Sequence, residues 1–282
     1  MGDHDPYDED DEDDMPQKKQ FNSYSVRAGG SYLPIAEAVN GLPNGFYKTP
    51  ITYEGLTFST HSVESDELMD IPGSVVEDIF KDMKSFWGMK EIYAQYKLIH
   101  KRGYLLHGPR GTGKSSSVVM LGKQVVEAGG VVIYPSNETE FVKAVEVLHT
   151  SEKGRPLMFI IEEITEFLDE KTSEILAILD GEGSPANSVF VATTNEIDDL
   201  DDNIKKRPGR FDRVLKVDFP TAEVRHAYAL KILQRGNLGN PVKDAAMVTD
   251  LTNGMSLAHV KEIIVASLIL GQNPKDVAER IR

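Results

Sequence analysis

The amino-acid sequence predicts an α/β protein: a doubly wound parallel sheet with helices on both faces, followed by a small all-helical lid. Three observations carry this expectation. Between residues 104 and 217, short apolar runs alternate with stretches of helical periodicity, the pattern of parallel strands covered on both sides. One run, Tyr104-Leu105-Leu106-His107, is joined to the next helical stretch by Gly108-Pro109-Arg110-Gly111-Thr112-Gly113-Lys114-Ser115, a connection of the form G-x-x-x-x-G-K-S. From Pro220 onward the pattern is purely helical.

Taken in order, residues 1–20 are expected to be a disordered acidic tail. Nine acids fall within residues 1–14 with almost nothing apolar beside them. The plain reading is a solubilising tail; the sharper one is a dock for a basic partner, or a mimic of DNA. Residues 21–72 read as a separate small β or linker region. Gly29-Gly30 and Asn40 to Gly45 are turn signals, and Phe46 to Lys48, Ile51 to Tyr53 and Leu56 to Ser59 are short strands. The α/β domain is expected over 73–219. Val75, Val76, Ile79, Phe80, Met83 and Phe86 recur at helical spacing, and a second short helix occupies about 89–98. The strand at 104–107 leads through the glycine-rich connection into a helix that runs to Glu127. Strands follow at 131–134, 157–161, 189–192 and 214–217, with helices beginning near Asn137 and ending at Gly181. The helical lid occupies 220–282, in segments 221–234, 241–252, 256–270 and 274–282.

Composition narrows the class. The chain has 282 residues, 40% hydrophobic, with no cysteine, so a disulfide framework and thiolate metal sites are excluded. No apolar run approaches a membrane span, and the acidic N-terminus has the wrong sign for a presequence; a cytoplasmic protein is expected. Of the net charge of −14, the nine acids of residues 1–14 account for more than half. Basic residues form only short clusters, Lys18-Lys19, Lys101-Arg102 and Lys205-Lys206-Arg207, and no stripe suited to a phosphate backbone.

The glycine-rich connection points to nucleotide chemistry. Its glycines let successive N–H groups converge on one anion, and the helix begins there with its positive dipole end. Gly108 to Ser116 are therefore the expected phosphate-binding stretch. Lys114 supplies a charge for the β- and γ-phosphates, and the Ser115 hydroxyl a ligand for Mg²⁺. Glu162-Glu163 ends the five-residue apolar run 157–161. One carboxylate can hold the metal and the other can orient an attacking water. Were Glu163 the metal acid, Ile164 would stand at the water-activating position, so Glu162 is assigned to the metal and Glu163 to the water. Asn195, after the next strand, could bond the γ-phosphate or the water; alone, it would pass for a turn residue. Arg207-Pro208-Gly209-Arg210-Phe211-Asp212-Arg213 gathers three arginines at a turn. Arginine neutralises a transferring phosphoryl group, and a neighbouring molecule can supply it. The plain alternative is a basic surface turn paired with Asp198 to Asp202.

In this order and spacing, these stretches resemble the AAA ATPases of the AAA+ superfamily, together with F-I-I-E-E and A-T-T-N. The wording of Lys101 to His107 and Ser256 to Val260 looks most like the branch that contains the mitochondrial Rieske-protein assembly chaperone, which has short bacterial and phage relatives. The resemblance implies an ATPase using ATP and Mg²⁺. Lys114 and Ser115 would act in the P-loop, Glu162 and Glu163 as the metal and water-activating acids, and Asn195 as sensor 1. Arg207 and Arg210 would be arginine fingers that reach into the next subunit. Asp70 to Gly73, with Ile71, and the lid turn Gly254 to Ala258 would flank adenine. A homo-oligomeric ring, most often a hexamer, follows from the arginines. Glu162 departs from the usual Asp, and Arg110 stands where Pro is usual. The stretch 136–156 offers only Phe141 where threading members carry an aromatic-hydrophobic-Gly pore loop. The expected role is a ring ATPase that remodels or translocates a protein. The alternatives are an ATPase acting on DNA, of clamp- or helicase-loader type, and a nucleotide-gated scaffold with slow hydrolysis.

Overall fold

The computed structural model describes residues 23–26, 32–35, 39–63, 75–207, 209–236 and 239–282. The acidic tail and Ile71 lie outside them. Two compact units divide the chain at Leu42 and Pro43. Within the first, β1 (Ser23–Val26) pairs antiparallel with β2 (Tyr32–Ile35).

The second unit opens with β3 (Gly45–Lys48), the small ribbon β4 (Ile51–Thr52) and β5 (Gly55–Leu56), and β6 (Ser59–Thr60). Then come α1 (Val75–Trp87), α2 (Lys90–Gln95), β7 (Lys101–His107), α3 (Lys114–Glu127), β8 (Val131–Tyr134), α4 (Glu138–Ser151) and β9 (Leu157–Ile161). The short α5 (Ile164–Phe167) and α6 (Thr172–Asp180) lead to β10 (Ser188–Thr194), α7 (Asp202–Lys205) and β11 (Arg213–Lys216). The chain closes with α8 (Ala222–Gly236), α9 (Pro241–Leu251), α10 (Leu257–Ile264) and α11 (Pro274–Ile281). The strands form one sheet in the order β11-β7-β10-β9-β8-β3-β6, parallel except for β6. This is the doubly wound α/β fold that the alternating runs predict.

One expectation is corrected here. Within the expected region 21–72, residues 45–48 and 59–60 belong to the main sheet, because β3 is the parallel neighbour of β8 and β6 closes that edge. The reason is the exposed ladder of β8: its residues are apolar, and an uncovered edge would leave their backbone groups unpaired. Phe46 of β3 also lies over Gly122 of α3, so closely that any Cβ there would sit 2.6 Å from its ring.

Strand alternation sorts the core into two faces. Val132, Met158 and Ile160 pack with Val118, Leu121 and Val125 of α3 and with Ile79, Met83 and Phe86 of α1. On the other face Phe141 of α4 meets Phe159 and Phe190, whose rings stack 5.2 Å apart. Phe141 is fully buried, which withdraws the one aromatic that 136–156 could offer to a central pore. Helix α4 starts where Asn137 predicts. Its side chain accepts from Glu140 N at 3.0 Å, and the Glu140 carboxylate returns to Ser136 N at 2.8 Å, a reciprocal cap. The helical bundle has its own core, built on Tyr228, Leu233, Val248, Val260, Ile263 and Val277. The predicted helix 256–270 is present but changes to a π-turn over Val265–Ile269. Among the described residues no helix is long and apolar enough to cross a membrane.

His100, just before β7, is 4% exposed and stacks on Phe86 at 4.0 Å, with Nε2 2.9 Å from the Phe86 carbonyl. Burial holds its pKa below the ordinary value, against the opposing pull of that carbonyl. Burial lowers His61 and His107 in the same way. All three are neutral above pH 7 in folded and unfolded chain alike. As pH falls through about 6.5, the unfolded chain takes up protons that the folded chain refuses, and stability declines. Urea midpoints should therefore fall between pH 7.5 and pH 5.5. His100→Phe, which keeps the stacked ring, should make that decline shallower; an unchanged slope would refute the assignment to His100.

Candidate functional site

The site forms at the carboxyl ends of the parallel strands, where a doubly wound sheet offers its ligand crevice. Between β7 and α3 the chain turns through Gly108, Gly111 and Gly113, with φ of 150°, 76° and 100°. Gly108 has a further reason to lack a side chain, since a Cβ there would lie 2.1 Å from the Val217 carbonyl oxygen. Lys114 is the first residue of α3 and 6% exposed. Its Nζ donates to Gly108 O at 2.6 Å, Pro109 O at 2.9 Å and Asn195 Oδ1 at 2.6 Å. Burial lowers its pKa, and Glu163 partly restores it.

Asn195 joins that cation to Glu163. Its Nδ2 donates to Glu163 Oε1 at 2.6 Å, and its backbone N to Oε2 at 3.2 Å. Glu163 stands in the left-handed region, φ 48° and ψ 60°, as the residue before α5. A non-glycine held there costs on the order of 1–3 kcal/mol, and such strain gathers at functional positions. Its N–H is anchored by Thr193 Oγ1 at 3.2 Å. Three residues from three connections thus form one chain: ammonium, amide, carboxylate.

A cavity of about 670 Å³ opens over this chain, within the range of nucleotide-sized ligand sites. Arg110 to Ser116, Glu163 and Asn195 line one side; Tyr228, Leu257 and Ala258 of the helical bundle line the other. The bundle's tip touches the glycine loop, since a Cβ on Gly111 would lie 2.9 Å from Ser256 Oγ and 3.5 Å from Ala258 Cβ. Gly108 and Pro109 meet the cavity only through the lysine they hold.

Glu162 is exposed and does not line the cavity. Its charge is felt by Tyr134 and His61. No cluster of three metal-ligating side chains occurs among the described residues. Mg²⁺ does not require one, because it is commonly held by one or two carboxylates, a hydroxyl, waters and the substrate's phosphates. The hard oxygen donors present, Ser115, Glu162 and Glu163, fit that pattern.

The arginines part company. Neither Arg207 nor Arg210 lines the cavity of its own chain. Arg210 is 6% exposed, with Nε and Nη2 each 3.0 Å from an oxygen of Asp180 and Nη1 2.6 Å from Asn203 O. Arg210, expected as a finger, has its guanidinium bonded on all three nitrogens inside its own chain in this conformation. The turn is clamped further by Asp212, which accepts from Gly103 N at 2.8 Å, and by Lys101, which donates to Leu179 O and Gly209 O. Arg207 has a side chain 57% exposed and one longer contact, 3.5 Å, with Asp180. Asp180 was visible in the sequence only as the end of a helix before Gly181. Nothing local marked it, because its partners lie at 101 and 207–210. Of the short basic clusters, the two among the described residues are likewise engaged: Arg102 pairs with Asp82, and Lys205 and Lys206 with Asp202.

The family described as "ATPase family associated with various cellular activities (AAA)" matches residues 104–219. Proteasome-activating nucleotidase of Methanocella arvoryzae is 28% identical over 217 residues, 67% of this chain and 50% of that protein. The ATP-dependent zinc metalloprotease FtsH of Mycoplasma genitalium is 28% identical over 201 residues, 63% of this chain and 28% of that protein. ATPase family gene 2 protein of Saccharomyces cerevisiae is 24% identical over 249 residues, 77% of this chain and 32% of that protein. The chain spans half or less of the length of these relatives.

The clamp on Arg210 yields a prediction. Asp180→Ala removes a bidentate, charge-assisted partner and should cost about 2 kcal/mol of stability. Fluorescent-nucleotide affinity of the single chain should stay within about twofold. Urea unfolding and a nucleotide titration check the two halves. A stable variant would show that the pair contributes little.

Proposed function

Residues 104–219 of this chain are an AAA ATPase domain, and from that premise we propose that it binds ATP with Mg²⁺ in the cavity over Lys114 and hydrolyses it. The proposed working form is a ring that remodels or moves a protein. The observation that carries the reading is the chain Lys114–Asn195–Glu163 at the mouth of a nucleotide-sized cavity.

In this reading the glycine loop's N–H groups and the start of α3 hold the phosphates. Lys114 exchanges the carbonyls of Gly108 and Pro109 for phosphate oxygens. Ser115 and Glu162 would hold Mg²⁺, which would supply positive charge to the bound phosphates. Asn195 lets go of Lys114 as the γ-phosphate takes its place, so that bound nucleotide is reported directly to Glu163. Glu163 orients the attacking water and takes its proton. Ala258, and Ile71 by resemblance, flank the base.

Arg207 is the proposed finger for the neighbouring subunit's γ-phosphate, and Arg210 the strut that aims its turn. That need for a second copy is the reason to propose a ring, of which a hexamer is the usual form. A protein substrate is favoured by the names of the relatives and by the paired state of the basic clusters, which leaves little for a nucleic-acid backbone to bind. The buried Phe141 argues against threading by an aromatic paddle and favours a folded or differently gripped cargo. Resemblance to the Rieske-assembly branch, carried by 101–107 and 256–260, agrees with a folded cargo.

Glu163→Gln should lower turnover by at least about 100-fold with ATP affinity nearly unchanged. Wild-type turnover in that variant would sink the assignment of the base, and very slow turnover in the unmutated chain would favour the nucleotide-gated scaffold. Arg207→Ala should lower turnover by about 1000-fold without loss of binding. Arg210→Ala should instead lower thermal stability as its first effect. Steady-state ATPase and thermal unfolding on the same preparations separate the two arginines; equal stability with equal loss of turnover would restore Arg210 as a second finger.

A further inference from the structure

We propose that Tyr134 is a positioning residue for the metal acid: when Mg²⁺ and nucleotide are bound, its hydroxyl, unbonded at rest, donates to the Glu162 carboxylate and holds it toward Ser115. The inference rests on the metal role proposed above for Glu162.

Tyr134 ends β8, and Glu162 directly follows β9. The two strands are parallel neighbours, with Ile133 opposite Phe159. That register sets Tyr134 beside Ile160, two residues short of Glu162. Val132 and Tyr134 face α3, as do Met158 and Ile160. Glu162 is next in that alternation and stands on the same face, the one from which α3 presents Ser115.

The phenol cannot swing away. The Phe46 ring lies 6.3 Å from it on one side and the His61 ring 5.3 Å on another. Its oxygen is buried, yet no group among the described residues bonds it. A buried hydroxyl without a partner is rare, and one beside a functional position calls for an explanation. A candidate acceptor is the carboxylate of Glu162, which the strand register sets on the same face and whose charge acts on both Tyr134 and His61. A phenol keeps its proton at neutral pH, so the oxygen can serve as a donor.

The chemistry gives this donor a purpose. Glutamate is one methylene longer than the aspartate usual at this position, with one more torsion to fix when it meets a metal. A neighbouring hydroxyl that takes one carboxylate oxygen leaves the other aimed at the ion. Such outer partners commonly change metal affinity by 10–100-fold when removed.

The experiment uses the full chain and a fluorescent ATP analogue, titrated with MgCl₂ from an EDTA baseline. Tyr134→Phe keeps the ring and removes only the oxygen. We expect unchanged affinity in EDTA, a Mg²⁺ half-point raised about tenfold, and a thermal midpoint equal to or above the parent's, since no bond is lost at rest. In a Glu162→Gln background the same change should add nothing. An unchanged Mg²⁺ half-point, or an equal shift in the Glu162→Gln background, overturns the proposal while leaving the metal role of Glu162 intact. A lowered thermal midpoint with unchanged Mg²⁺ dependence assigns Tyr134 to packing alone and overturns it too. If Glu162→Gln itself leaves the Mg²⁺ half-point unmoved, the metal role falls first and the proposal with it.

Discussion

Lys114 fixes a positive charge, 6% exposed, at the joint where β7 ends and α3 begins, and the surrounding structure is arranged around that charge. A buried ammonium needs acceptors on every side. The glycine loop supplies two carbonyls, and Asn195 brings a third acceptor from the neighbouring strand. Asn195 in turn ties the lysine to the carboxylate of Glu163, which also lines the cavity. The strand order β7-β10-β9 is what makes this possible. It puts the ends of the lysine's, the asparagine's and the glutamate's strands side by side, so that one amide can span both charges. In the function proposed above, a phosphate that competes for the lysine disturbs the glutamate, which would link binding to chemistry in few atoms.

The far end of the same strands carries a second device. Asp180 closes α6 and receives the guanidinium of Arg210, while Lys101 ties the carbonyl of Leu179 to that of Gly209. The helix before β10 and the arginine turn before β11 are therefore one mechanical piece. Arg207 sits at its surface. The cavity over Lys114 and the exposed Arg207 are not brought together within one protomer.

Much of this was legible in the sequence. The apolar runs fixed the strands of the parallel sheet because burial on both faces leaves no other reading for Leu157–Ile161. The glycine loop was legible because its chemistry is local. Glu163 and Asn195 were legible as candidates, but their mutual bond was not, since it depends on β9 and β10 being neighbours. The sequence misled at residues 43–63, where short strands looked independent; their role as the edge of the main sheet depends on β8 needing a partner. At Arg210 residue type suggested reach, and the buried pairing with Asp180, 30 positions earlier, was invisible. Tyr134 carried no motif at all. Its interest lies in an unbonded oxygen, which only coordinates reveal.

The central claim is that one chain's glutamate and another chain's arginine complete a single site. Mixing two inactive variants tests it most directly. Glu163→Gln chains keep the arginine, and Arg207→Ala chains keep the base. The account predicts that ATPase activity reappears on mixing, at interfaces where an intact Glu163 meets an intact Arg207. A mixture that sedimentation shows to co-assemble in ATP, yet that stays as inactive as its components, would contradict it.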